Sequence, residues 1–456
     1  MSDGPWYRLY VVAAVFCFAA SWTLAILRAE VGEKHPLDLL TSNGFAYYAN
    51  LPSVLIDGDL DLSNQAMAWR GSEGSAWMLD GRYPIGVSLT LLPSFLCAHT
   101  VSWLAYSLCG AKIVAPSGFT IIYLLFNVAF IMAFWTTAMM ALDRMILKRY
   151  RLHRHSIVAG ILMYWLGSYF LWYFLREPFW AHLLSSTWIV ITVCLVDRIL
   201  MALDEQRFVW WHWPVVAFAT SMAIVCRITD VFLVPFFVYL AYRILRGGFL
   251  LRTLAVLPLI IASMFPIVLQ FVIWANIHQE PFELNPAAVG YAKQERFYWA
   301  QPVFFRMLFS SFNGLFFWSP ILLASVWGLA WKLSRHEGWR DSLLMCLVLS
   351  AAILCYINGS WYGWHFGVAV GARAFLELAV LFILGFAFAF QRLRSFSAGY
   401  RRIVIALFVM AVCLGYGLMG LHHWNAAWRP SNDYLFDWER RIYPPRTTYF
   451  QNDGRQ

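Results

Sequence analysis

Charge is scarce in this sequence. Only 13% of its 456 residues are Asp, Glu, Lys or Arg, against roughly a quarter in soluble domains, which excludes an ordinary water-soluble enzyme. Cysteines at metal-ligand spacing are missing as well. The eight cysteines (Cys17, Cys97, Cys109, Cys194, Cys226, Cys346, Cys355, Cys413) are scattered, mostly inside apolar runs, and read as buried small apolar side chains rather than a zinc site. A nucleotide-binding glycine loop, a low-complexity tract and a soluble second domain are also absent. The first apolar run, from Leu9, lacks a small-residue cleavage motif, so it is expected to be a retained span rather than a signal peptide.

What the chain has instead is apolar length. Hydrophobic residues make up 61% of it, the mean hydropathy is +0.60, and apolar stretches of roughly 20 residues recur, which only helices can turn into membrane spans. The expected fold is an all-α polytopic bundle of about eleven spans. They fall near residues 9–27, 119–142, 156–175, 179–196, 214–226, 231–242, 253–275, 314–331, 341–357, 375–390 and 403–421. The apolar run 85–108, which contains His99, is expected to lie along the interface.

Sidedness turns on that run. If 85–108 crossed, the basic run 144–154 would share a face with the acidic loop that follows the first span. Laid along the interface, it puts the run on the opposite face, together with the basic residues of 243–252, 332–340 and 392–402. That arrangement satisfies the positive-inside rule repeatedly. It gives one membrane domain over 1–421, a first extracytoplasmic loop over 29–118 and an outer tail over 422–456. The net charge of +9 then reflects short cytoplasmic loops, not a nucleic-acid partner.

The chain is organised around the polar interruption 37–86, which carries Asp57, Asp59 and Asp61 and closes in Arg82-Tyr83-Pro84. The aspartates fit a solvated turn. They also fit a general base, since a partly desolvated carboxylate has a raised pKa. Arg82 and Arg373 fit lipid-headgroup anchors or a phosphate clamp. Arg227 and Asp230 interrupt an apolar pair of segments, where ionisable groups are functional or paired. Glu177 and His182 open another span. Trp361, Trp364 and His365 cluster among glycines, as an interfacial belt or as a platform for a sugar or polyprenyl chain.

With these residues in place, the chain resembles the GT-C class of integral membrane glycosyltransferases, in the branch of protein O-mannosyltransferases and lipid A aminoarabinose transferases. The features that match are, in order, Phe45-Ala46-Tyr47-Tyr48, Gly58-Asp59, Arg82-Tyr83-Pro84 before an apolar juxtamembrane helix, HLLSS from His182, Arg227 on a short hairpin, GLFFWSP from Gly314, and Trp361 to Arg373. The resemblance implies transfer of a sugar from a polyprenyl phosphate to an acceptor hydroxyl of a glycan, lipid or protein. It places the reaction on the extracytoplasmic face of a bacterial inner membrane. In it Asp59 and Asp57 are the candidate bases, and Arg82, Arg227 and Arg373 the phosphate partners. Asn43, Tyr47, Tyr83, His182, Trp361, Trp364 and His365 are candidate substrate contacts. The donor is already activated, so no cofactor is expected and no metal is chemically obligatory.

One position departs from the class. Many members have an acidic residue four places before the loop tyrosine, where this chain has Asn43. Asparagine is no base, so the role falls to Asp57, Asp59 or Asp38, or the chain is catalytically silent. A flippase for lipid-linked sugars is the other rival. It would require internal repeats and midplane polar groups, which the sequence does not display.

Overall fold

The structure is a computed structural model, which describes residues 4–30, 39–40, 42–70, 83–278, 297–366 and 370–424. Helix is the only regular secondary structure among them, apart from an isolated bridge between Phe297 and Trp361. Nine helices among the described residues are long and apolar enough to cross a membrane, or ten if the bent pair Arg154–Gly167 and Phe170–Arg176 is one span. Two expected spans are shorter than that. Residues 214–226 fall in the helix His212–Cys226, and 314–331 is broken into Leu315–Trp318 and Leu322–Leu333. The helix Gly86–Cys109, expected along the interface, meets the length and apolarity of a span.

The chain divides into two compact units. The first comprises Met1–Arg151 and Trp172–Lys293. Its centre is the helix Ala181–Asp204, with 72% of its most apolar window buried, packed by His212–Cys226, Ile121–Tyr150 and Gly86–Cys109. Two hydroxyls near its start are satisfied locally: Ser186 Oγ donates to the His182 carbonyl (2.6 Å) and Thr187 Oγ1 to that of Leu183 (2.8 Å). Such bonding lets hydroxyls sit in a buried helix without orphaning a donor. The helix Leu250–Asn276, with 17% of its most apolar window buried, presents most of its surface outward.

One end of this unit is ionic. Arg149 pairs with Asp197 (2.7 Å), Arg243 pairs with Asp204 (2.5 Å), and Arg144 Nε donates to the Tyr7 hydroxyl (2.7 Å). The other end is hydrogen-bonded into the loop after the first helix. Ser88 Oγ donates to the Tyr47 carbonyl (2.5 Å), and the adjacent Tyr48 hydroxyl donates to the Gly118 carbonyl (2.6 Å), just ahead of Ile121–Tyr150. Along Gly86–Cys109, Ser94 Oγ donates to Asn127 Oδ1 (2.7 Å) and His99 Nδ1 meets the Tyr123 hydroxyl (2.6 Å).

The second unit comprises Leu152–Leu171 and Gln294–Gln456. Its core is Arg373–Leu393, with 89% of its most apolar window buried, against Arg154–Gly167 and Leu322–Leu333. Small residues set the approach. A Cβ on Gly328 would run into the Gly385 carbonyl, and one on Gly385 into the Ser325 backbone. With hydrogens there, Ser325 Oγ reaches across to the Phe382 carbonyl (2.8 Å). Close helix contact through small residues is how apolar spans associate when lipid competes equally for their side chains.

Candidate functional site

The three aspartates of the acidic loop build a turn. Residues Ser53–Asp57 form one π-helical turn, which ends at Gly58 in the left-handed region (φ 75°). Asp59 Oδ1 accepts from Ser53 Oγ (2.9 Å) and from the Asp61 N–H (3.2 Å). Asp61 Oδ1 accepts from the Ser63 N–H (2.9 Å). That N–H, assisted by the Ser63 hydroxyl, holds the Asp61 carboxyl below its ordinary value. Asp57 Oδ2 accepts from Asn64 Nδ2 (3.0 Å) and from Gln65 Nε2. These are the Asx-type bonds by which aspartate organises loops. All three carboxylates are exposed. The second oxygens of Asp57 and Asp59 carry no hydrogen bond among the described residues.

A buried polar cluster lies elsewhere in the same unit. Its outer shelf is aromatic: the Tyr83 hydroxyl donates to Asn43 Oδ1 (3.1 Å), and the Tyr83 and Tyr47 rings meet edge-on at 4.9 Å. Tyr48 packs edge-on against Phe179 (5.5 Å), joining the helix Ser42–Tyr48 to the segment that leads into His182. Gly86 touches the backbone of Val225 and Cys226 where any Cβ would collide. The Ile85 N–H donates to Gln270 Oε1 (2.6 Å). The segment Tyr83–Gly86 is therefore held between the loop helix and the turn at Arg227.

That turn carries the charge. The helix His212–Cys226 ends at Arg227 in extended conformation (φ −149°, ψ 117°), and the chain continues as a 3-10 turn, Ile228–Leu233. Arg227 Nη1 lies 3.0 Å from Nε2 of the buried His182. A guanidinium only donates, so Nε2 must be the acceptor, and His182 is the neutral, Nδ1-protonated tautomer. Three residues on, Asp230 is fully buried and accepts from Ser185 Oγ (2.5 Å). Arg176, also buried, sits 6.0 Å from the Trp172 ring. The cluster thus combines a fixed cation, a neutral imidazole, a buried carboxylate and a hydroxyl. Such a set suits an anion bound to Arg227 with hydrogen-bonding partners around it.

Of the residues expected from sequence, the structure brings Asn43, Tyr47, Tyr83, His182 and Arg227 into this one region. Arg82 and Asp38 lie outside the described residues. Trp361, Trp364, His365 and Arg373 belong to the second unit. There the His365 ring meets Phe312 edge-on (5.4 Å) and Trp364 (5.8 Å), and the His365 carbonyl accepts from Asn313 Nδ2. Arg373 is half-buried at the start of Arg373–Leu378, one residue after Ala372, whose carbonyl accepts from the Tyr169 hydroxyl (3.0 Å). Among the described residues no His, Cys, Asp and Glu side chains gather in a metal-holding group.

Two contributors were not anticipated, Ser185 and Gln270. Gln270 is the one uncharged amide in the apolar run FPIVLQFVIW, and such a lone polar side chain in a span is the signal that could have found it. Compared with protein families, with curated proteins and with solved structures, the chain matches none.

Proposed function

We propose that this chain is a multi-pass membrane glycosyltransferase that moves a sugar from a polyprenyl phosphate to an acceptor hydroxyl. The observation that carries it is the Arg227–His182 contact beside buried Asp230, at the end of the bundle opposite the ionic pairs. His182 and Asp204 lie near the two ends of one helix, Ala181–Asp204, and stand about 33 Å apart at 1.5 Å per residue, roughly a bilayer core. A guanidinium held in place by an apolar scaffold is a ready partner for a phosphate, which its planar fork can grip.

In the reaction the acceptor oxygen bonds to the anomeric carbon as the bond from that carbon to the phosphate oxygen breaks. The acceptor proton passes to Asp59 or Asp57. The guanidinium of Arg227 stabilises the departing phosphate, where negative charge grows most; Arg82 is the other candidate. Asn43, Tyr47 and Tyr83 form the shelf against which the sugar packs.

The reacting face is extracytoplasmic, in a membrane of bacterial inner-membrane type. Arg144, Lys148, Arg149 and Arg151 sit at one end of the first unit with Arg243 and Arg246, which the positive-inside rule assigns to the cytoplasm. Gly86–Cys109 then runs along the interface. Ser88, at the start of that helix, and Gly118, three residues before Ile121–Tyr150, are bonded to the neighbouring residues Tyr47 and Tyr48, whereas a crossing would part them by about 30 Å. In a background freed of native cysteines, a cysteine at 59 is expected to react with an impermeant maleimide added outside, and one at 148 only after lysis. Labelling of both from one side would make Gly86–Cys109 a crossing and reverse the assignment.

The decisive experiment is mass spectrometry of lipid that co-purifies with the full chain, followed by transfer from that lipid. A polyprenyl-phosphate sugar is expected, with transfer that needs no nucleotide sugar and survives chelator. Strict dependence on a nucleotide sugar would overturn the proposal.

A further inference from the structure

The ionic end of the first unit contains a cavity of about 390 Å³ between the helices Ile121–Tyr150 and Ala181–Asp204. Its wall carries Arg144, Lys148, Arg198 and Arg207 against two carboxylates, Asp197 and Glu205. Both carboxylates are already engaged, Asp197 by Arg149 (2.7 Å) and Glu205 by Arg207 (3.1 Å). Arg144 is occupied by Tyr7, through the 2.7 Å bond and by lying 5.0 Å from its ring centre. Lys148 and Arg198 remain. Each is exposed and makes no hydrogen bond or ion pair among the described residues.

The rest of the wall is mostly apolar, with Met145, Met201 and Val209, and includes His212. Directly after Val209 come Trp210 and Trp211, 55% and 43% exposed. Exposed tryptophans at the end of spans mark headgroup depth. A soluble anion would need the cations but neither the apolar wall nor the aromatic rim. A phospholipid needs all three.

We propose that this cavity binds the phosphate of an anionic phospholipid from the leaflet at the ionic end, with Lys148 and Arg198 as its cationic partners. Basic pockets between spans are a recurrent solution for headgroup recognition. The site is distinct from the transferase cluster: Arg198 is about 24 Å along the helix from His182. It therefore stands whether or not the chain transfers sugar.

The test uses the full chain in neutral detergent, titrated with phosphatidylglycerol, phosphatidylcholine or inorganic phosphate, with bound lipid counted by native mass spectrometry and melting followed in parallel. Phosphatidylglycerol is expected to bind and to raise the melting temperature, and the other two to do neither. Removing a charge near a membrane surface weakens binding roughly fivefold, so Lys148→Gln with Arg198→Gln should weaken it about 25-fold. Arg246→Gln, at the same end but off the cavity wall, should leave binding unchanged. The lipid-free double variant should melt with the wild type, because both side chains are exposed; if it fails to fold, each single variant should still show its fivefold loss. Equal binding of phosphatidylcholine, full binding by the substituted chains, or an equal shift from inorganic phosphate alone would overturn the proposal.

Discussion

Arg227→Ala is expected to lower transfer by about 10²–10³-fold, the usual cost of removing one preorganised group from a developing anion. The cluster explains why the effect should be this large. Arg227 Nη1 contacts His182 Nε2 at 3.0 Å, and the neutral imidazole supplies no charge that could replace it. The same cluster makes the alanine variant ambiguous by itself. Asp230 is fully buried three residues away, and deleting the cation beside a buried carboxylate costs about 3–5 kcal/mol of stability when the two are coupled. Arg227→Lys separates the two effects. It keeps the positive charge near Asp230, so folding should hold, but it lacks the planar fork that grips phosphate. Turnover should recover only in part while the melting temperature returns to the wild-type value. Full transfer by a folded Arg227→Ala chain would remove Arg227 from the mechanism.

Much of the bundle was legible because hydropathy alone marks segments that must bury their own backbone bonds in lipid. The departures have local causes. Ile121–Tyr150 runs eight residues past the expected end at 142, since DRMILKRY contains no helix breaker and its charges find partners, Arg144 at Tyr7 and Arg149 at Asp197. The run 314–331 was read as one span, but Pro320 removes a backbone donor within it, and the chain turns between Leu315–Trp318 and Leu322–Leu333.

The site was legible residue by residue but not as an arrangement. His182 and Arg227 each stood out as polar groups in apolar surroundings, yet they lie 45 residues apart, and nothing in either motif announces the other. The Asp57, Asp59 and Asp61 spacing was visible too. What the spacing left out was who binds them: Ser53 opens the π-helical turn, and Asn64 and Gln65 lie in the helix Ser63–Arg70, so their role appears only once the turn is folded.

Those partners sharpen the second large prediction. Asp59→Asn is expected to lower transfer by about 10²–10⁴-fold, the range for losing a positioned general base, with the fold intact. Asparagine retains an Oδ1 that accepts from Ser53 Oγ and the Asp61 N–H, so the turn persists while the oxygen able to take a proton is lost. Because the side chain is exposed, the stability change should stay within about 0.5 kcal/mol. Asp59→Ala differs: it also removes the acceptor for Ser53, and should lower the melting temperature along with the rate. Asp57→Asn is the companion test, since its Oδ2 accepts from Asn64 and Gln65 and asparagine again preserves one acceptor. Rates with the lipid-phosphate donor, measured beside melting curves for all three variants, distinguish base from turn. Wild-type transfer by both asparagine variants would leave Asp57 and Asp59 as turn-formers only and pass the proton to another carboxylate, with Asp38 next in line.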